Sequence, residues 1–96
     1  MAERIDNIGF GDLKLIQEPS EFCYGVDAVI LADFAAKHAS GPVRQAVDLG
    51  TGTGVIPLIL SWKTDADMIA GLEMQEDSYD RAVRNAKMNG LESRIS

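Results

Sequence analysis

The sequence predicts an α/β fold: a β-hairpin and a helix, followed by the start of a parallel sheet. Three observations predict it. From Gln45 onward the hydropathy pattern reads strand, helix, strand, helix, an order that parallel pairing with right-handed crossovers satisfies. A glycine-rich turn, Gly50-Thr51-Gly52-Thr53-Gly54, stands between the first of these strands and the helix after it. An acidic residue, Glu73, follows the second strand about 20 positions later, at the same end of the sheet. The 96 residues read as one unit, with a hairpin and covering segment over 1–26 and the sheet-and-helix core beginning at 27–96.

Each element has its own local reason. Ile5, Ile8 and Phe10 precede a turn at Gly11-Asp12, and Leu13, Leu15 and Ile16 follow it with partial alternation, as a hairpin requires. Glu18-Pro19-Ser20 breaks that pattern, and Phe22-Cys23-Tyr24-Gly25-Val26-Asp27 leads into a helix ending near His38. Asp27 is expected to cap it, since a carboxylate there can accept the free amide protons of the first turn. Val26, Ile30, Leu31 and Phe34 fall on one face at helical spacing. Ser40-Gly41-Pro42 stops the helix.

Ala46-Val47-Asp48-Leu49 is a short apolar strand, and residues 55–62 form an apolar helix after the glycine turn. Pro57 lies in the first turn of that helix, where a missing backbone donor costs nothing. A polar connector leads to Met68-Ile69-Ala70-Gly71-Leu72, a second buried strand. Residues 75–89 read as a polar helix with Tyr79, Ala82, Val83 and Ala86 inward and Gly90 ending it. Two parallel strands make a small sheet for a fold normally covered on both faces. The sequence reaches Ser96 where a third strand is due, so the fold is expected to be incomplete, the N-terminal part of a larger one.

Composition excludes several classes. Hydrophobic residues make up 46% and charged residues 25% of the chain, an ordinary globular mixture. The formal net charge is −6, which offers no general attraction for a phosphate backbone. No apolar run approaches the roughly 20 residues of a membrane span, and the start lacks a basic segment followed by an apolar one. The single cysteine, Cys23, excludes an internal disulfide. These features predict a cytoplasmic setting with no membrane contact. His38, the lone histidine, is expected to be exposed and non-catalytic, and no cluster of Cys, His and carboxylate has metal-ligand spacing. The basic residues Lys63, Arg81, Arg84, Lys87 and Arg94 are spread among acids and read as a solvated face.

The glycine loop carries the chemistry. Glycines at alternate positions let the chain leave the strand sharply and let a ligand approach the backbone. An acid at the tip of the neighbouring strand is placed to accept hydrogen bonds from ribose hydroxyls. Nicotinamide and flavin enzymes space their glycines G-x-G-x-x-G around a pyrophosphate. Here the third glycine comes one residue early, and Asp48 stands two residues before the first. A carboxylate there repels a pyrophosphate and suits a ligand bearing an ammonium and a sulfonium. A nicotinamide-dependent oxidoreductase therefore fails on spacing. A phosphate-cradling G-x-x-x-x-G-K-[ST] loop is absent from the sequence.

These residues resemble motif I and the following acidic position of class I S-adenosylmethionine-dependent methyltransferases. The run Tyr24-Gly25-Val26-Asp27-Ala28-Val29-Ile30-Leu31-Ala32, the glycine loop, and Gly54-Val55-Ile56-Pro57-Leu58-Ile59-Leu60 are similar to the bacterial adenine N6-methyltransferases of valine tRNA and their small-domain relatives. The resemblance covers nearly the whole chain. It implies a Rossmann-like class I methyltransferase fold and S-adenosyl-L-methionine as cofactor. By the same resemblance Asp48, Gly50, Thr51, Gly52 and Gly54 hold the methionine part, Glu73 the ribose, and Met74 or Gln75 borders the adenine. Tyr24, Gly25 and Asp27 match a segment that folds over the methionine end.

One departure is plain. The family's catalytic signature is Asn-Pro-Pro-Tyr or a close variant, and the prolines here, Pro19, Pro42 and Pro57, are isolated. The sequence therefore assigns no catalytic residue and reads as the cofactor-binding half of a longer enzyme, with tRNA as the implied nucleic-acid partner. A second reading stays open, a short non-catalytic module that binds nucleoside ligands or pairs with another chain. The open sheet edge further predicts self-association.

Overall fold

The structure is a computed structural model, and it describes residues 3–20, 23–39 and 41–96. Seven elements follow in chain order. They are β1 (Arg4–Asn7), β2 (Lys14–Gln17), α1 (Val26–His38), β3 (Gln45–Leu49), α2 (Val55–Lys63), β4 (Met68–Leu72) and α3 (Glu76–Met88). β1 and β2 form an antiparallel hairpin in which Ile5 faces Ile16. β3 and β4 pair in parallel, with Asp48 beside Gly71 and Leu49 beside Leu72. Ile95 makes a parallel bridge to Ile69 on the other side of β4, where a third strand was expected. Phe22 and Ser40, cited above for the segment before α1 and the stop after it, lie outside the described residues.

The core gathers under α2. Leu58, Ile59 and Ile69 are almost wholly buried, with Leu15 from the hairpin and Ala32 from α1 packed among them. α2 is buried at Val55, Pro57, Leu58, Ile59, Leu60 and Ser61, which is why its sequence is apolar on nearly every side rather than striped. Trp62 closes over the hairpin turn. A Cβ at Gly11 would meet its ring at 2.5 Å, and Gly11 also holds a positive φ of 58°, so both space and backbone conformation select glycine there. Arg94 finishes α2 by donating to the carbonyls of Ser61, Thr64 and Ala66, a cation on the negative end of a helix.

Three local expectations are corrected. Asp27 does not cap α1: Gly25 is the N-cap with no side-chain bond, and its carbonyl accepts the Ala28 N–H at 3.1 Å. The helix begins two residues earlier than expected, so Asp27 lies inside its first turn, where its charge favours the positive helix end. Val26, Ile30, Leu31 and Phe34 do share a face of α1, but all four are exposed. The face turned to the core is the small one, with Ala28, Val29, Ala32 and Ala36, because short side chains let α1 lie close against α2. On α3 the buried residues are Arg81, Asn85 and Ala86. Ala86 is inward as expected, whereas Tyr79, Ala82 and Val83 line a cleft of about 280 Å³ toward Gly71 and Ile95. Gly90 does end α3: it has a φ of 68°, and Leu91 N–H bonds the Ala86 carbonyl at 2.8 Å across it.

The hairpin docks on α3 through two asparagines. Asn85 pairs its amide with the peptide groups of Ile16, accepting the N–H at 2.6 Å and donating to the carbonyl at 3.3 Å. Asn89 does the same at Lys14, at 2.8 and 2.7 Å. The match is geometric, since four helical residues and two strand residues both advance roughly 6–7 Å. Glu3 adds an ion-pair contact to Arg81 and Arg84.

Candidate functional site

β3 ends at Leu49 and the chain turns through three left-handed glycines, Gly50 (φ 70°), Gly52 (φ 59°) and Gly54 (φ 87°), before α2 begins. Side-chain-bearing residues adopt this region at a cost of about 1–2 kcal/mol each, so the alternating glycines fix the turn. The turn is stitched from within by the Gly54 N–H to the Thr51 carbonyl at 2.9 Å, and to β4 by the Thr51 N–H to the Leu72 carbonyl at 2.9 Å. A Cβ built on Gly50 or Gly52 would meet nothing within 4 Å. The outer face of the loop is therefore open.

Glu73 is bonded into this loop. Its Oε1 accepts the Gly52 N–H at 2.8 Å, and its Oε2 accepts the Gln75 N–H at 2.9 Å. The Gln75 and Gly52 amides hold the carboxyl below its ordinary pKa range, since donors to a carboxylate favour its charged form. Each oxygen keeps a further lone pair, so the anchored carboxylate can still accept two hydroxyls. The sequence reading cast Glu73 only as a ligand contact; the structure adds that it clamps the loop to the start of α3.

Asp48 precedes the loop on β3, and its Oδ2 is buried with no hydrogen-bond partner among the described residues. Burial pushes its carboxyl up from the ordinary range. The Thr51 hydroxyl leans toward it and draws it partway back, without reaching hydrogen-bond geometry, and Thr51 Oγ1 is likewise buried and unpartnered. Two orphaned polar atoms side by side are costly unless a ligand completes them. A cationic amine, which carries donors only, fits both.

Two residues that the sequence reading did not single out shape the site. Gly71 stands opposite Asp48, and a Cβ there would lie 2.8 Å from the Thr51 side chain. Asn85, fully buried on α3, donates to the Thr53 carbonyl at 2.8 Å. The signal available in sequence was an asparagine pair four apart near a helix end, in positions where asparagine is a poor helix former.

The remaining candidates fall into two groups. Met74 is fully exposed and Gln75 exposed, both beyond Glu73, and Gly52, Thr53, Glu73, Gln75, Glu76, Asp77 and Ser78 border an open polar cleft. Of Tyr24, Gly25 and Asp27, Tyr24 is held by the hairpin instead. The Tyr24 N–H donates to Gln17 Oε1 at 3.1 Å, and Gln17 Nε2 in turn donates to Asp6 at 2.8 Å. Among the described residues no hydrogen bond joins these three to the glycine loop. His38 stacks on Phe34 at the exposed end of α1. No group of three His, Cys, Asp or Glu among the described residues could hold a metal ion, and no described helix is long and apolar enough to cross a membrane.

The chain is similar in sequence and in fold to named methyltransferases. The chain is 34% identical over 77 residues to the tRNA1(Val) (adenine(37)-N6)-methyltransferase of Christiangramia forsetii, covering 79% of this chain and 31% of that protein. It is 36% identical over 76 residues to the protein of the same name from Flavobacterium johnsoniae, covering 79% and 32%. It is also 30% identical over 82 residues to the release factor glutamine methyltransferase of Aliivibrio fischeri, covering 85% and 29%. The chain thus spans about a third of the length of the curated relatives it matches. No protein-family model matches it.

Among solved structures, M. jannaschii TYW2 in complex with AdoMet superposes with a TM-score of 0.77 at 16% identity, covering 98% of this chain and 41% of that one. The human methyltransferase 10 domain containing protein superposes with a TM-score of 0.71 at 19% identity, covering 92% and 42%. The fold is the Rossmann-like one of class I methyltransferases, here represented by the hairpin, α1 and the β-α-β-α start of its sheet.

Proposed function

We propose that this chain is the cofactor-binding half of an S-adenosylmethionine-dependent methyltransferase whose methyl acceptor is an adenine N6 amine in tRNA. One observation carries the reading. Asp48 holds a buried, unpartnered carboxylate oxygen beside an open left-handed glycine loop, with the anchored Glu73 at the tip of the neighbouring strand. An amino-acid ammonium and a ribose diol are the two groups that such a pair of carboxylates suits. A pyrophosphate is not, because Asp48 adds a negative charge where nucleotide-binding loops present only amides.

In this reading Asp48 accepts the ammonium of the methionine part, with Thr51 and the loop backbone beside it. Glu73 accepts the ribose hydroxyls on the lone pairs that Gly52 and Gln75 leave open. Met74 and Gln75 border the adenine, and Tyr24, Gly25 and Asp27 close over the methionine end from the hairpin side. The bound cofactor supplies a methyl group made electrophilic by its sulfonium. What residues 1–96 contribute is orientation and electrostatics, and no catalytic residue is assigned among them.

The acceptor follows from the relatives' names and from chemistry. Adenine N6 and the glutamine side-chain amide are both planar, weakly nucleophilic nitrogens, so one cofactor half serves either. The nearer alignments name a tRNA adenine methyltransferase, and that acceptor is the one proposed. Five of the described cations are engaged by carboxylates of the chain itself. Lys37 and Lys63 hold Asp33, Arg4 holds Asp6, and Arg81 and Arg84 hold Glu3. A cytoplasmic setting accords with the lone cysteine and a tRNA acceptor.

Equilibrium dialysis of the chain against labelled S-adenosylmethionine, NAD and ATP in parallel tests the reading. Retention of S-adenosylmethionine alone is expected. Retention of NAD or ATP in its place would replace the methyltransferase reading with a dehydrogenase or phosphate-binding one.

A further inference from the structure

β2 is held to the glycine loop through a side chain that is not itself part of the proposed cofactor contacts. Asn85 is fully buried on α3. Its Oδ1 accepts the Ile16 N–H at 2.6 Å, while its Nδ2 donates to the Ile16 carbonyl at 3.3 Å and to the Thr53 carbonyl at 2.8 Å. Every polar site that faces a partner is used, so the amide cannot rotate without breaking two or more bonds in a buried place.

Thr53 lies between Gly52 and Gly54, both left-handed. Glycines restrict their own torsions least of all residues, so the peptide planes between them need external anchors. The Thr53-Gly54 plane has one at each end: its carbonyl is bound by Asn85, and its N–H donates to the Thr51 carbonyl at 2.9 Å. The Thr51-Gly52 plane is anchored separately, by the Gly52 N–H to Glu73 at 2.8 Å. Asn89 repeats the asparagine-to-strand pairing at Lys14 but bonds no loop atom.

We infer that Asn85 is a positioning residue for the candidate cofactor site, fixing the Thr53-Gly54 peptide plane by tying the Thr53 carbonyl to α3 and β2. The hairpin is then more than a cover, because the bond that docks it and the bond that sets the loop share one amide. The part of this inference that concerns ligand affinity rests on the function proposed above; the part that concerns loop order does not.

Asn85→Asp and Asn89→Ala separate the two roles, read by amide hydrogen exchange at Gly52 and Gly54 and by titration with S-adenosylhomocysteine. Asn85→Asp keeps the shape and one acceptor but presents an oxygen to two carbonyls. Gly54 exchange is expected to rise at least about tenfold and the S-adenosylhomocysteine Kd to rise about tenfold, the loss of a net hydrogen bond and the burden of an unmatched acceptor. Asn89→Ala, which weakens docking alone, is expected to leave both within about twofold. Equal acceleration of Gly54 in both variants, or none in Asn85→Asp, would overturn the inference. If Asn85→Asp does not fold, the wild-type chain decides: a scalar coupling across the hydrogen bond from Asn85 Nδ2 to the Thr53 carbonyl carbon supports it, and its absence overturns it. A wild-type chain that binds no S-adenosylhomocysteine sinks the proposed function, while the exchange result still judges Asn85.

Discussion

Asp48 and Glu73 are both carboxylates at one end of the sheet, and their environments push them in opposite directions. Asp48 is raised by burial, so its charge costs stability above the ordinary aspartate range until a cation meets it. Asp48→Asn is therefore expected to leave thermal stability at pH 7 unchanged or higher, while S-adenosylhomocysteine affinity falls about tenfold or more, the value of a charge-assisted bond. Calorimetric titration beside a melting curve reads both. Glu73 is lowered by the Gln75 and Gly52 amides, so the folded chain prefers its carboxylate. That stabilisation is present above the unfolded glutamate value and is lost as pH falls through the lowered folded one. Glu3 acts in the same sense, held down to about 2 chiefly by Arg84. Acid unfolding followed by circular dichroism is thus expected to begin below about pH 4.5 and deepen toward pH 2. A chain equally stable at pH 2 and pH 7 would contradict these assignments.

At the scale of elements, the parallel pair, α2 and α3 were legible because each rests on a local pattern: short, mainly apolar runs, Pro57 in a first turn, Gly90 just past the helix cap. β4 falls on the residues expected from sequence, Met68–Leu72. What the pattern did not give is which way a face points. α1 carries two stripes, one of large residues and one of small, and hydropathy favours the large one, whereas close helix packing selected Ala28, Ala32 and Ala36. The hairpin likewise lacks strict alternation because β2 is buried at Leu15, Ile16 and Gln17 in succession, covered by the core on one face and met by α3 along its edge. Within the site, the loop and both acids were readable from spacing. Gly71 and Asn85 were not, since their roles exist only through contacts 20 or more residues away. Gly71→Ala tests the first of these. Its Cβ would displace Thr51, with an expected cost of about 1–3 kcal/mol from overpacking and weaker ligand binding. Urea unfolding measures the cost, and a variant as stable as the wild type would show that Thr51 has room to move.

For the whole molecule the consequence is an unevenly covered sheet. β3 pairs with β4 alone among the described strands, and Val47 and Leu49 remain 64% and 76% exposed. The large stripe of α1 is exposed as well, at Val26, Ile30, Leu31 and Phe34. An open strand edge beside apolar surface favours pairing with other chains. Sedimentation of the isolated 96 residues is expected to show mass that rises with concentration. A monomer over the full concentration range would mean these surfaces are tolerated in water. The chain's share of its relatives, about a third, makes cofactor retention the function to ask of it, ahead of methyl transfer.

The most direct test is a map of backbone amide chemical shifts during titration with S-adenosylmethionine. The account predicts saturable shifts centred on Asp48, residues 50–54 and residues 73–75, with the titration midpoint moved about tenfold or more higher in ligand by Asp48→Asn. Shifts centred instead on the cleft between Tyr79, Val83 and Ile95, or no shifts at all, would contradict it.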